Sequence, residues 1–302
     1  MTDSPDKKDT LLSGKAALAG VIGFPVSHSK SPRLHGYWLR AYGIDGAYLP
    51  LSVAPDDLGT AVKGLQAAGF RGANVTVPHK EAVMAFCDEI DPLAQRIGAV
   101  NTLVFREDGK IHGSNTDGIG FLENLRQGSS LDFHGLRVGV LGAGGAARGI
   151  LVALQHAGVS QIKLTNRTAS RAEKLAEDLN NSRENAEAGL ITVIDWDQKD
   201  RVLENCDLLI NTTSLGMEGQ PPLDLDFSAL PENAVVTDIV YAPLITPLLA
   251  AAREKGYRIV DGLGMLLHQA CPGFRAWFGR EPEVTEALRR TVLGGETADR
   301  EV

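Results

Sequence analysis

The sequence contains little cysteine, and no long apolar run goes uninterrupted. Its three cysteines, Cys87, Cys206 and Cys271, are odd in number and far apart, and no Cys-x-x-Cys motif occurs. This argues against a disulfide framework and against a cysteine-rich zinc site. Charged residues or prolines interrupt the most apolar stretches, as Arg148 and Asp238 do, so we expect no membrane span.

Positive charge is also scarce. The 30 lysines and arginines are outnumbered by 38 aspartates and glutamates, which gives a formal net charge of −8. Nucleic acid and anionic lipid both attract basic surfaces, so we expect neither as a partner. Segment 1–10 holds three Asp, two Lys and no apolar core, unlike a signal peptide. We therefore predict a cytoplasmic protein.

The chain does contain a regular alternation of short apolar runs and helical patterns. This alternation predicts mainly parallel sheets covered by helices, and the length of 302 residues predicts about two domains. The predicted strands are 16–23, 47–53, 72–77, 99–106, 110–113, 137–141, 161–165, 190–193, 207–211, 234–238 and 258–260. The predicted helices are 31–41, 55–68, 78–86, 119–127, 170–179, 198–205, 265–278, 283–293 and one that starts at 146.

A glycine-rich loop, residues 142–147, joins the strand 137–141 to a helix. Its sequence GAGGAA fits the G-x-G-x-x-[G/A] pattern of dinucleotide-binding folds. Gly142 permits the tight turn, Gly144 lets backbone approach a pyrophosphate, and Ala147 lets helix and strand pack closely. The helix N-terminus offers free N–H groups to phosphates. Because a strand and a helix flank the loop, we favour a dinucleotide site over a simple glycine turn.

The end of the strand 161–165 separates NADP from NAD. NAD-binding folds usually place Asp or Glu there to accept from the ribose 2′-hydroxyl, and this sequence has no carboxylate at that point. Arg167 and Arg171 lie one helical turn apart, and guanidinium groups pair well with phosphate oxygens. The pattern favours NADP. The alternative is that both arginines are solvated surface groups.

Polar clusters flank the strands of the first half. Ser27 and Ser29 suit either carboxylate binding or helix capping, and Ser31 suits capping. Thr76 and Lys80 surround the carboxyl end of the third strand, where ligands bind in open parallel sheets. A lysine in such a cleft can transfer protons, although a lone lysine is more often a surface group. Two further clusters, Asn101-Thr102 and Asn115-Thr116-Asp117-Gly118, taken alone indicate turns.

Together these motifs resemble the shikimate dehydrogenase family. The resemblance rests on SHSKSP, NVTVPHK, GAVNTL, NTDG, GAGGAAR, TNRT, NTTSLGM and DGLGMLLHQA, which follow the family's order from about residue 20 to 275. It implies NADPH-dependent reduction of 3-dehydroshikimate to shikimate, in the pathway to chorismate and aromatic amino acids. It also implies an α/β fold of two open, mainly parallel domains with the substrate cleft between them, the second a Rossmann NADP-binding domain.

The resemblance also implies a division of the chain. Residues 1–15 form a mobile tail, 16–117 with 262–302 form the substrate-binding and catalytic domain, and 118–261 bind NADP(H). The C-terminal helices return to the first domain. The expected partner is the small-molecule substrate, and the chain is expected to be a monomer or a homodimer.

Residue roles follow from the resemblance as well. Lys80 and Asp117 match the catalytic pair. Lys80 is the expected proton donor in reduction and Asp117 is expected to hold its ammonium group, while the sequence leaves open which of the two carries the proton. The expected substrate-binding residues are Ser27, Ser29, Thr76, Lys80, Asn101, Asp117, Tyr241 and Gln269. The expected cofactor-binding residues are Gly142, Ala143, Gly144, Gly145, Ala146, Asn166, Arg167, Thr168, Arg171, Thr212, Gly262 and Met265.

One position departs from the family pattern. His79 stands where Phe or Tyr is common, and we expect it to pack; no histidine has metal-ligand spacing, so no metal is predicted. Two alternatives stay open, a dual-specificity quinate/shikimate dehydrogenase and a non-catalytic sensor of pathway ligands. Retention of Ser27 and Ser29 favours shikimate over quinate, and the presence of both Lys80 and Asp117 favours an enzyme.

Overall fold

The computed structural model describes residues 11–182 and 189–294, and the chain divides into two compact units. Among the described residues the strands are β1 (Ala17–Gly23), β2 (Gly46–Ser52), β3 (Gly72–Val75), β4 (Glu89–Ile90), β5 (Thr102–Phe105), β6 (Ile111–Ser114), β7 (Arg137–Leu141), β8 (Gln161–Thr165), β9 (Leu190–Ile194), β10 (Leu208–Asn211), β11 (Val235–Asp238) and β12 (Arg258–Val260). The α-helices are α1 (Ser31–Ala41), α2 (Leu58–Ala67), α3 (Pro92–Ile97), α4 (Asp117–Ser129), α5 (Gly145–His156), α6 (Ala169–Asn181), α7 (Pro247–Glu254), α8 (Leu263–His268), α9 (Cys271–Phe278) and α10 (Glu286–Leu293).

Unit 1 comprises residues 1–116 and 270–302, and unit 2 comprises residues 117–269. This division differs from the predicted one in placing Asp117 and segment 262–269 in unit 2. The reason is close packing of α4 against α8, since a Cβ added at Gly120 would lie 2.6 Å from the backbone of Met265 and of Gln269. Helices α9 and α10 belong to unit 1.

Most of the predicted tail, residues 1–10 of 1–15, lies outside the described residues. The remainder is tied to unit 1, because the backbone N–H and the hydroxyl of Ser13 both donate to the Asp45 carboxylate. A backbone bond from Ala16 to the Ser13 carbonyl then turns the chain into β1.

The sheet of unit 1 has the strand order β2-β1-β3-β5-β6-β4. The pairs β1–β2, β1–β3 and β4–β6 are parallel, whereas β5 runs antiparallel to both of its neighbours. The carboxyl ends of β1, β3 and β6 therefore share one edge with the amino end of β5. We call this the site edge of unit 1.

The sheet of unit 2 is parallel throughout, in the order β12-β11-β10-β7-β8-β9. Counted along this part of the chain, the order is that of the Rossmann fold, and it reverses direction between β7 and β10. The prediction of a Rossmann domain is confirmed. Ligands of such sheets bind beyond the strand ends at the point of reversal, which here follows Leu141 and Asn211.

Three predicted helices have a different form. Segments Ala82–Phe86 and Trp196–Leu203 are 3₁₀ helices, the second with a non-helical residue, Gln198, inside it. The predicted helix 265–278 is divided into α8 and α9. Pro272 lies in the first turn of α9, where its missing N–H costs no hydrogen bond, so a new helix begins there.

Aromatic side chains form one packed group in unit 1, beside a mainly aliphatic core. The fully buried His35 ring stacks on Tyr48, with centroids 3.9 Å apart and planes 8° from parallel. The Trp277 indole N–H donates to the Leu103 carbonyl over 2.9 Å and so ties α9 to β5. Gly72 must lack a side chain, because a Cβ there would lie 2.3 Å from the Trp277 indole nitrogen.

Buried His35 makes the stability of the protein sensitive to acid. Burial lowers the pKa of His35 to about 3, and the nearby Asn74 side chain acts more weakly in the opposite direction. Below pH 6.5 His35 is therefore protonated in the unfolded chain, whereas in the folded protein it stays neutral down to about pH 3. Between these pH values, His35 should lower the free energy of unfolding by about 1.4 kcal/mol for each unit that the pH falls.

His35→Phe should remove this contribution while it keeps an aromatic ring against Tyr48. We expect the unfolding free energy of wild type to fall with decreasing pH more steeply than that of the variant. Urea unfolding at several pH values between about 4 and about 7 measures both slopes. Parallel slopes would contradict the assignment, whatever the absolute stability of the variant.

Candidate active site

The loops that follow β1 and β3 meet at the site edge of unit 1. The N–H of Thr76 donates to the Ile22 carbonyl over 2.9 Å, and that of Phe24 donates to the Val77 carbonyl over 3.1 Å. These bonds hold the loop after β1 against the loop after β3. The first loop carries Ser27 and Ser29, and the second carries Thr76 and Lys80.

The serine loop corrects one expectation. The capping position of α1 is Lys30, no side chain caps the helix, and Ser31 is its first residue, so the predicted capping role of Ser31 is wrong. Instead the Ser29 hydroxyl accepts from the Ser31 N–H over 3.3 Å, which fixes the turn into the helix. Ser27 is exposed, and its hydroxyl has no hydrogen-bond partner among the described residues.

His79 and Lys80 extend the β3 loop in opposite ways. His79 is 1% exposed, and its Nε2 lies 2.8 Å from the Val53 carbonyl, so the ring packs beneath the loop. The Lys80 side chain is half-buried, and its backbone carbonyl accepts from the Val100 N–H over 2.8 Å. The site edge therefore holds the backbone of the lysine in place.

Asn101 lies at the amino end of β5, on the same edge. Its Oδ1 accepts from the Thr102 hydroxyl over 2.9 Å, and from the Thr116 N–H over 2.9 Å and hydroxyl over 3.2 Å. The cluster is thus more than a turn, because these donors fix the orientation of a buried amide. With Oδ1 engaged by these donors, Nδ2 is the part of the amide that donates.

In unit 2 the glycine loop lies at the point where the sheet reverses. Gly142 has a φ of +107°, and a Cβ there would lie 2.5 Å from the Thr212 hydroxyl, so the position requires glycine. Thr212 donates its N–H and its hydroxyl to the Leu141 carbonyl, each over 2.8 Å, and joins the ends of β7 and β10. A Cβ at Gly144 or Gly145 would meet no atom within 4 Å, so a ligand can approach the backbone there.

The residues after β8 provide an anion site beside this loop. Asn166 accepts from the Ala143 N–H over 3.2 Å and donates to the Thr168 carbonyl over 2.9 Å, which links the two loops. Arg167, Thr168 and Arg171 are exposed, and neither arginine pairs with a carboxylate within 11–182 and 189–294. These groups and the α5 N-terminus fit a dinucleotide with a 2′-phosphate.

Helix α4 carries Asp117 at its first position. A Cβ at Gly118 would lie 2.6 Å from the Ala153 Cβ, so α4 packs closely on α5, the helix of the glycine loop. Helix α4 also packs closely on α8, where it contacts the backbone of Met265 and of Gln269. The helix that carries Asp117 therefore contacts both α5, which follows the glycine loop, and α8, which carries Met265.

A buried carboxylate connects the loops after β10 and β11. Asp238 accepts from the Asn211 amide over 2.9 Å, the Thr246 hydroxyl over 2.8 Å and the Val240 N–H over 2.9 Å. Burial raises the pKa of Asp238 despite these bonds, and burial also raises the pKa of Tyr241, three residues on. Gly262 lies beside these loops, where a Cβ would be 2.4 Å from the Ile239 carbonyl.

The predicted residues thus fall into two groups. Unit 1 holds Ser27, Ser29, Thr76, Lys80 and Asn101. Unit 2 holds Asp117, Tyr241, Gln269 and every predicted cofactor residue.

Sequence reasoning missed the supporting residues Tyr48, Asn74 and Asp238. Polar side chains inside otherwise apolar strands were the available signal.

Two general features of the described part of the chain bear on its ligands. No helix there is both long enough and apolar enough to cross a membrane. The same residues contain no group of three or more His, Cys, Asp or Glu side chains suited to a metal ion.

Comparison with known proteins identifies the family. Residues 21–103 match the shikimate dehydrogenase substrate binding domain, 124–216 match shikimate / quinate 5-dehydrogenase, and 262–293 match the shikimate 5′-dehydrogenase C-terminal domain. Shikimate dehydrogenase (NADP(+)) of Paramagnetospirillum magneticum is 60% identical over 93% of this chain and 100% of its own. That of Rhodospirillum rubrum is 57% identical over 94% and 99%.

A solved structure agrees with these relatives. Shikimate 5-dehydrogenase from Thermus thermophilus, in complex with NADP(H) and shikimate, superposes with a TM-score of 0.78 at 36% identity, over 91% of this chain and 99% of its own. From its sequence, its two α/β units and its glycine loop, this chain belongs to the shikimate dehydrogenase family.

Proposed function

We infer that this chain catalyses the reversible NADPH-dependent reduction of 3-dehydroshikimate to shikimate. The observation that carries this is 60% identity, over nearly the whole chain, to a protein named shikimate dehydrogenase (NADP(+)). The chemistry of the residues supports the same reaction. The enzyme is an oxidoreductase acting on a CH–OH group in the chorismate pathway, and its cofactor is NADP(H).

Unit 1 would hold and protonate the substrate. Ser27 and Ser29 suit the substrate carboxylate, because both hydroxyls lie in one loop at the site edge. Thr76 and Asn101 suit its hydroxyl and carbonyl oxygens. Lys80 Nζ would donate a proton to the carbonyl oxygen during reduction and take it back during oxidation.

Unit 2 would supply the other groups. Asp117 would orient the Lys80 ammonium group and bond a neighbouring substrate hydroxyl, and Gln269 and Tyr241 would bond the substrate. When bound, NADPH supplies the hydride. Its pyrophosphate would lie against 142–146 and the N-terminus of α5.

The remaining cofactor-binding residues fall into two sets, which would contact different parts of NADP(H). Asn166, Arg167, Thr168 and Arg171 would hold the 2′-phosphate. Thr212, Gly262 and Met265 would line the adenosine or nicotinamide ends.

One assay tests the two alternatives to this function, a dual-specificity quinate/shikimate dehydrogenase and a non-catalytic sensor of pathway ligands. The fold also occurs in quinate dehydrogenase from Corynebacterium glutamicum in complex with NAD, at 33% identity and a TM-score of 0.83. It occurs as well in 5-ketofructose reductase of Gluconobacter sp. strain CHM43, at 34% identity and a TM-score of 0.84. Substrate and cofactor preference must therefore be measured on this chain.

Initial rates with shikimate or quinate, each with NADP⁺ or NAD⁺, measure this preference. We expect the shikimate and NADP⁺ rate to dominate. Comparable rates with quinate or NAD⁺ would assign a dual-specificity enzyme. Ligand binding without turnover would assign a non-catalytic sensor.

Two further predictions accompany the proposed function. We propose a cytoplasmic location, which cell fractionation measures. We also propose a monomer or a homodimer, which sedimentation velocity distinguishes.

A further inference from the structure

A directed row of hydrogen bonds lies beneath the site edge of unit 1. The Tyr48 hydroxyl donates to Asn74 Oδ1 over 2.6 Å, and Asn74 Nδ2 donates to the Thr102 hydroxyl over 3.2 Å. The Thr102 hydroxyl then donates to Asn101 Oδ1 over 2.9 Å. Tyr48, the most exposed of the four, is only 7% exposed, so water does not compete for these bonds.

The direction of the row follows from its first member. Burial raises the pKa of Tyr48 well above its usual value, so the phenol stays a donor. Asn74 Oδ1 accepts this proton, and Asn74 Nδ2 is left to donate, to Thr102 and to the Asn101 carbonyl over 3.2 Å. Thr102 accepts from Asn74, and its single proton goes to Asn101 Oδ1 at 2.9 Å rather than to the Thr116 hydroxyl, which lies farther away at 3.4 Å.

The other end of the row is also fixed. Tyr48 cannot rotate its ring freely, because His35 stacks on it at 3.9 Å. Neither nitrogen of His35 has a hydrogen-bond partner among the described residues, so this histidine supports the tyrosine by ring contact.

We propose that Tyr48 and Thr102 are positioning residues, which act through Asn74 and Asn101 to set what the site can bind. The row acts together with the N–H and hydroxyl of Thr116 to hold Asn101 Oδ1 inward, so Nδ2 is the group of this amide that can donate to a substrate oxygen. This inference rests on the proposed function, in which Asn101 bonds a substrate oxygen. The inference adds Tyr48 and Thr102 to the residues that determine binding, although neither touches the ligand.

The variants Tyr48→Phe and Thr102→Val interrupt the row at its two ends. Each should raise the KM for shikimate about 3-fold to about 10-fold, because a buried acceptor loses a donor and the Asn101 amide is then held only by the remaining bonds, such as those from the Thr116 N–H and hydroxyl. The KM for NADP⁺ should stay unchanged, and kcat should change less than the KM for shikimate. Thr102→Ser keeps the hydroxyl and should restore the wild-type KM.

The double variant tests the connection itself. If one row links the two residues, Tyr48→Phe added to Thr102→Val should cost no more than Thr102→Val alone. Tyr257→Phe is the matched control, since its hydroxyl donates to the Leu230 carbonyl over 2.9 Å in unit 2. That control should leave the KM for shikimate unchanged.

The outcomes separate this inference from the proposed function. If wild type oxidises shikimate but both single variants keep its KM, or their effects simply add, the positioning role is overturned and the function stands. If wild type does not oxidise shikimate, the function fails and the inference with it. Thermal unfolding of each variant identifies loss of fold, and Thr102→Ser against Thr102→Val decides the case should Tyr48→Phe not fold.

Discussion

Replacing Lys80 with methionine should lower kcat for shikimate oxidation at least ~100-fold. Methionine keeps the length of the side chain but cannot accept the proton that leaves the substrate hydroxyl. Because the backbone of residue 80 is held by the Val100 N–H, the loop should keep its shape. The loss should therefore appear in kcat far more than in the KM for shikimate.

Steady-state kinetics and titration of the variant with NADP⁺ and shikimate separate these effects. Lys63→Met is the matched control, since Lys63 is an exposed lysine on α2 in the same unit. It should leave kcat unchanged. A Lys80→Met variant with wild-type kcat would remove Lys80 from proton transfer.

Removing both Arg167 and Arg171 should raise the KM for NADP⁺ at least about 100-fold. Each charge-assisted bond to a phosphate contributes about 1.5–3 kcal/mol, and about 1.4 kcal/mol corresponds to a factor of ten. NAD⁺ lacks the 2′-phosphate, so its KM should change by no more than a few fold. The double alanine variant should therefore lose its preference for NADP⁺.

The preference is measured as the ratio of kcat/KM for the two cofactors with shikimate saturating. Arg253→Ala controls for loss of positive charge from unit 2, because Arg253 is exposed on α7. It should keep the wild-type ratio. If the double variant also kept that ratio, the 2′-phosphate would have to bind elsewhere.

The strands were the most predictable part of the fold. The bounds predicted for β7, β8 and β12 are those observed, because each is a short segment with Val, Ile or Leu that is bounded by turn residues. The short helices α3 and α7 were missed although each has a side-chain cap followed by proline. Their apolar patterns are too short to show a helical period.

The candidate site was less predictable than the strands. Motif order suggested Asn101, but only the structure shows its amide fixed by Thr102 and Thr116. Tyr48 and Asn74 lie 26 residues apart in sequence, so no local pattern indicates their hydrogen bond. Capping of α1 by Ser31 was a local inference that failed because Ser29 provides the turn.

The close contact at Gly120 has a consequence for the order in which the protein is made. Unit 2 begins at Asp117 and ends at Gln269, and this contact brings its two ends side by side. All of unit 2 is therefore available to fold once residue 269 has left the ribosome. Synthesis of unit 1 starts first, but its packing is complete only after Trp277 has been made and covers β3 and β5. The first segment of unit 1 therefore exposes apolar surface for longer than unit 2 does. During translation, unit 1 is thus the unit with more need of a chaperone.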